Sequence, residues 1–133
     1  MQPAEHALVS AGAGFALWVA TGEPWAPAVA VGVGLMTDGD HALEFLLWAR
    51  RGLAERAWFL LHGYEWAPLW ALGLLLTGGH PLVAAACIGH LGHILCDQMA
   101  NPVRPLGYLI IYRALQGFRI PQFTYKRYRS VEQ

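Results

Sequence analysis

The sequence predicts an all-α chain: an integral membrane bundle of about four transmembrane helices, with a polar site in its cytoplasmic half. Three observations carry this reading. The 133 residues are 56% hydrophobic and only 14% charged, against about 25% charged in ordinary soluble domains. The apolar residues are gathered into long runs rather than spread along the chain. Within those runs, histidine and carboxylate side chains recur at matching depths.

The first run is His6 to Ala20 and the second Trp25 to Met36. Both are marginal against the roughly 20 residues that a helix needs to cross a bilayer, unless their polar flanks count. Ala57 to Thr77 and Pro81 to Ala100 reach that length. Turns are expected at TGEPWAP, ARRGLAER and TGGHP, which hold the glycines, prolines and charges. A fifth piece, GYLIIYRALQGF, is too short and too interrupted by Arg113 to span, and reads as interfacial or re-entrant. Residues 1–120 thus form one helical membrane domain, and 121–133 a basic C-terminal tail. Gly12, Gly14, Gly32 and Gly34 follow no predicted strand, so they are not a nucleotide fingerprint. They suit close helix packing. Cys87 and Cys96, nine residues apart on one apolar run, fit neither a small disulfide loop nor a metal knuckle and are expected as buried thiols.

Formal net charge is zero, so bulk charge points to no nucleic-acid partner. The basic residues are sorted, however. Arg50, Arg51 and Arg56 lie in the second loop; Arg104, Arg113, Arg119, Lys126, Arg127 and Arg129 follow the fourth run. The positive-inside bias then puts both termini and the second loop in the cytoplasm, as in a multi-pass protein of a bacterial-type inner membrane. MQPAEHA carries no basic residue, against a cleavable signal peptide.

At 1.5 Å per helical residue, counted from the outer turns, His93 lies roughly 18 Å deep and Asp97 about 24 Å. Glu65 and His62 come at about 18 and 22 Å, Asp38 and Asp40 at roughly 18 to 21 Å, and His6 at about 22 Å. Four helices thus bring polar groups to one layer. An isolated Asp there costs about 2.5 to 3.5 kcal/mol, and neighbouring carboxylates repel. A bound cation reverses that sign by turning them into ligands.

Three motifs supply the groups. In GHLGHILCD, His90, His93 and Asp97 share an arc of about 60° on a helix. In TDGDH, Asp38 and Asp40 would point about 160° apart on a regular helix and converge only if the backbone unwinds near Gly39. His41 completes the motif, with Glu44 one turn on to orient it. In LLHGYEW, His62 and Glu65 stand at i and i+3. The candidate ligands are therefore His6, Asp38, Asp40, His41, His62, Glu65, His90, His93 and Asp97. Mixed imidazole and carboxylate donors suit a divalent transition metal, Zn²⁺ first, then Mn²⁺ or Fe²⁺, as one ion or two.

The order of an N-terminal His, Asp-x-Asp-His, a His on the next helix and His-x2-His-x3-Asp resembles the YdjM-like family of predicted membrane-bound metal-dependent hydrolases. The resemblance runs from His6 to Phe118 and includes NPVRPLGYLIIYRALQGF. It implies a helical membrane protein whose metal centre is built from His6, Asp38, Asp40, His41, His62, His93 and Asp97. LLHGYEW departs from the Arg-Gly-x-Thr-His-Ser form of many members.

The expected activity is hydrolysis of a phosphoester or lipid-linked substrate in the bilayer. Asp40 or Glu65 would be the general base, and Arg104 and Arg113 would hold the phosphate. The alternatives are a non-catalytic metal-binding or structural membrane subunit of a larger assembly, and a bis-histidine haem protein using His62 with His90 or His93. Three carboxylates at the same layer argue against haem.

Overall fold

The computed structural model describes residues 3–51, 56, 58–101 and 103–119. Among them are six α-helices: α1 (Pro3–Thr21), α2 (Ala26–Thr37), α3 (Gly39–Arg51), α4 (Ala67–Leu76), α5 (Pro81–Ala100) and α6 (Ile110–Leu115). A 3₁₀ turn at Tyr64–Trp66 leads into α4. The described residues hold no strand, only an isolated bridge between Arg56 and Arg119. The chain is all-α. The basic tail at 121–133 and the middle of the ARRGLAER loop lie outside the described residues.

Local chemistry sets the boundaries. Pro27, Pro68 and Pro81 stand in the first turns of α2, α4 and α5, where a missing N–H costs nothing. The His80 ring accepts the Leu82 N–H at 3.3 Å and caps α5. Gly78 and Gly79, at φ +62° and +78°, make the reversal between α4 and α5. Non-glycine residues resist that region.

Two predicted spans differ from expectation. The second run is helical over its own length, as α2, but gains no spanning length from its flank, because the helix breaks at Asp38 and α3 starts afresh at Gly39. The break sits at Asp38 itself, with φ −72° and ψ −6°. Gly39 has no positive φ, so its freedom is not what opens the helix. The third run is helical only from Ala67; residues 58–63 have irregular backbone. At 12 and 10 residues, α2 and α4 are about 18 and 15 Å long, short of the roughly 30 Å hydrocarbon layer. Among the described residues one helix, α5, is long and apolar enough to cross a bilayer.

The packing of α1, α2 and α5 follows from small residues repeated every fourth position. On α2 these are Ala26, Ala30 and Gly34; on α5, Ala85 and Gly89; on α1, Ser10 and Gly14. All are buried. A Cβ built on Gly89 would collide with the Ala30 backbone, and one on Gly34 would lie 2.6 Å from Ser10 Oγ. The backbones approach because nothing stands between them. Continuing each stripe by one more step gives His6 on α1, Asp38 after α2, and His93 then Asp97 on α5. The small residues draw the helices together, and the stripe ends in polar groups.

Gly89→Ala should therefore be strongly destabilising, because the obstacle is backbone that cannot rotate away. Overpacking typically costs about 1 to 3 kcal/mol, occasionally more. Thermal unfolding of the purified protein should show a large drop. Gly92→Ala, whose Cβ meets nothing within 4 Å, should leave stability unchanged or slightly raised.

Burial is inverted relative to a soluble domain. Large apolar side chains such as Leu8, Val19, Leu75, Leu76 and Met99 are at least 72% exposed. His6, His62, His93, Asp97 and Arg113 are at most 4% exposed. Cys87 and Cys96 are free thiols, only partly buried, which corrects the expectation of fully buried ones.

Candidate metal centre

The N-terminal end of α1, the C-terminal ends of α2 and α5, and the loop before α4 meet at one place. His6, Asp38, His41, His62, His93 and Asp97 form three overlapping groups whose ligand atoms lie within 4.8 Å of one another: His6–Asp38–His93, Asp38–His41–His62 and His62–His93–Asp97. These groups can hold a metal ion.

His62 and His93 are the centre. Their Nε2 atoms are 3.2 Å apart. Asp38 Oδ1 lies 3.7 Å from His62 Nε2 and 3.3 Å from His93 Nε2. Asp97 Oδ2 lies 3.6 and 3.7 Å from the same two atoms. Around a small divalent ion with bonds of about 2.0 to 2.2 Å, neighbouring tetrahedral ligands stand roughly 3.3 to 3.6 Å apart. The donor types fit such an ion, and the separations of His62 and His93 from each other and from either aspartate are close to that spacing.

The surroundings hold these atoms in place. Asp40 faces His62 Nδ1 at 3.1 Å through Oδ1 and 3.3 Å through Oδ2. That carboxylate keeps the proton on Nδ1 and the Nε2 lone pair toward the cluster. Asp40 Oδ2 also accepts the Leu61 N–H at 2.8 Å. His6 Nε2 is 3.0 Å from Asp97 Oδ1, which leaves Asp97 Oδ2 turned to His62 and His93. The His6 ring stacks on that of His93 with centroids 3.6 Å apart. The buried Nδ1 atoms of His6 and His93 have no hydrogen-bond partner among the described residues. Asp38 is 24% exposed and His41 48%, so the cluster has one open rim, at the α2–α3 break.

Several predicted residues are used otherwise. His90 shares the α5 arc, but both its nitrogens are committed. Trp70 Nε1–H donates to His90 Nδ1 at 2.8 Å. His90 Nε2–H donates to the Leu61 carbonyl at 2.8 Å. Glu65 stands after an irregular segment, not one helical turn beyond His62. Its Oε1 accepts the Ile111 N–H at 2.8 Å and holds the start of α6. Asp40 is turned to His62 Nδ1 and Leu61 and Glu65 to Ile111, so neither expected general base stands among the cluster's ligand groups. Glu44 Oε1 accepts the Trp58 N–H at 2.7 Å and holds the loop backbone.

The arginines separate. Arg104 is exposed. Arg113 is 1% exposed, and its Nη2 donates to the carbonyls of Phe59 at 2.8 Å and His62 at 3.0 Å. It clamps the loop that carries His62 rather than facing outward. Burial draws its guanidinium below the usual value, while the carboxylates of Glu65 and Asp40 act the other way. Sequence reasoning missed this clamp and the Trp70–His90–Leu61 relay. Neither leaves a spacing signal, because the partners are 20 to 54 residues apart.

Comparison with known proteins finds no matching family model, no matching curated protein and no matching solved structure.

Proposed function

We propose that this chain is a membrane-embedded, metal-dependent hydrolase of a phosphoester, of the kind its motifs resemble. The observation that carries the reading is the pair of Nε2 atoms of His62 and His93, 3.2 Å apart, with Asp38 Oδ1 and Asp97 Oδ2 each 3.3 to 3.7 Å from both and a partly exposed rim at Asp38 and His41. The membrane part rests on the exposed apolar faces around a polar interior. One apolar helix of spanning length and the sorted basic residues support it too, with both termini on the cytoplasmic side.

His62, His93, Asp38 and Asp97 would hold the ion, Zn²⁺ first, with Mn²⁺ or Fe²⁺ as alternatives. When bound, such an ion supplies Lewis acidity toward a phosphoryl oxygen and makes water a stronger acid. Asp40 fixes the tautomer of His62. His6 fixes the rotamer of Asp97. His41, the most exposed of the group, is free to exchange a proton with a substrate or with solvent at the rim. The buried walls exclude water from the other sides.

The test is metal analysis of protein purified without chelator, followed by turnover of an aryl phosphate with Zn²⁺, Mn²⁺ or Fe²⁺. Bound metal with metal-dependent turnover is expected. Protein that remains metal-free after these ions are added overturns the site. Stoichiometric metal with no phosphoester turned over favours the non-catalytic metal-binding subunit.

A further inference from the structure

Beside the cluster lies a second feature, a cavity of about 290 Å³ between α2 and the segment leading into α4. It is lined by Val33, Met36 and Thr37 of α2, by Leu61, Trp66 and Trp70, and by His90 of α5. The volume is at the low end for small-molecule pockets.

The polar atoms of this lining are already paired inside the protein. Thr37 Oγ1 donates to the Val33 carbonyl at 3.1 Å. Trp66 Nε1 donates to the Leu60 carbonyl at 2.9 Å. Trp70 and His90 bond to each other, and His90 to Leu61. The cavity therefore offers an occupant no unsatisfied donor or acceptor from these side chains. A sugar, nucleotide or peptide would lose its hydration there without replacement bonds. A hydrocarbon chain loses nothing and gains burial.

Position gives the second argument. Thr37 is followed by Asp38, and Leu61 by His62; His90 is one helical turn before His93. Consecutive Cα atoms are about 3.8 Å apart, so the lining lies within one residue of two candidate metal ligands. In the lining, Met36 is 72% exposed. The lining thus includes an exposed apolar residue and the chain neighbours of the polar centre.

The geometry points to a binding site for one acyl chain of a membrane lipid whose phosphoester headgroup lies at the His–Asp cluster. This names the substrate class of the hydrolase proposed above and rests on that reading for the headgroup, though not for the chain. Val33 and the indoles of Trp66 and Trp70 become specificity determinants, selecting an aliphatic chain over a polar leaving group.

The probe is a phosphatidic acid with a diazirine in mid-chain, present at trace level in phosphatidylcholine proteoliposomes of the full protein. After photolysis, the adducts are mapped by mass spectrometry. Adducts should concentrate on residues 33–37 and 61–70. Val33→Trp should lower them about tenfold, as expected from displacing a few buried methylenes, with metal content retained. Dodecyl phosphate should compete with the label in the unaltered protein; inorganic phosphate at the same concentration should not. If Val33→Trp loses its metal through misfolding, the competition experiment decides alone. Labelling spread over outward residues such as Leu8 and Leu75, or insensitive to dodecyl phosphate, overturns the chain site. Competed labelling in the cavity without any phosphoester turnover overturns the hydrolase reading and leaves the lipid site standing.

Discussion

Replacing His93 with alanine should weaken divalent-metal affinity by more than about a hundredfold, beyond the 10- to 100-fold typical of losing an outer partner. Asp97→Ala should do the same. His93 Nε2 lies within 3.2 to 3.7 Å of His62, Asp38 and Asp97, so its loss removes a corner shared by two ligand groups. Two comparisons on α5 make the result specific. Cys96→Ala should bind metal like the unaltered protein, since its side chain leaves the helix about 100° from Asp97. His90→Ala should keep the metal stoichiometry but lose affinity in the outer-partner range, because it supports Leu61 and not the ion. Titration of chelator-stripped protein, with stoichiometry checked by elemental analysis, gives all four values. Equal losses for His90 and His93 would show that both bind the ion. A large loss for Cys96→Ala would bring the thiolate into the site.

Arg113→Met should cost roughly 1 to 3 kcal/mol of stability: two loop carbonyls lose this donor, and only one of them keeps another, the His62 N–H at 3.2 Å. The carbonyls are those of Phe59 and His62, in the segment that the sequence composition disguises as helix. Their N–H and C=O groups cannot pair along a helix there, so side chains from elsewhere replace the ladder. Asp40 takes the Leu61 N–H, His90 the Leu61 carbonyl and Arg113 the two others. Tyr64 N–H pairs with the Tyr108 carbonyl at 3.0 Å. Metal affinity should fall with stability, since the clamp positions His62. Arg113→Lys should recover part of both, its single ammonium replacing one contact. Thermal unfolding with and without metal checks this. A phosphate-binding role would instead raise KM, leaving unfolding temperature and metal affinity unchanged, and that outcome would reject the clamp.

The sequence alone determined the helical class and the level at which its polar groups gather. Apolar runs bounded by Gly-Pro turns are a local property, and so is the four-residue repeat that carries Gly89 to His93 to Asp97. Helical rise is constant, so spacing along α1, α2 and α5 translates into height and brings His6, Asp38, His93 and Asp97 to matching helix ends; His62 joins them from irregular backbone, to which that count does not apply. Tertiary structure decided what each group does there. His90 and His93 are equally apolar-flanked and equally in phase, yet Trp70 and Leu61 take both nitrogens of one and leave the Nε2 of the other to the cluster. Glu65 and Arg113 carry charges that suit a site, and both are spent on backbone. Hydropathy counts side chains and is blind to backbone bonds, so it could not see that residues 58–63 leave the helix. Once they do, every buried N–H and C=O needs a partner, and those partners stand on α3, α5 and α6, where only the folded chain brings them within reach.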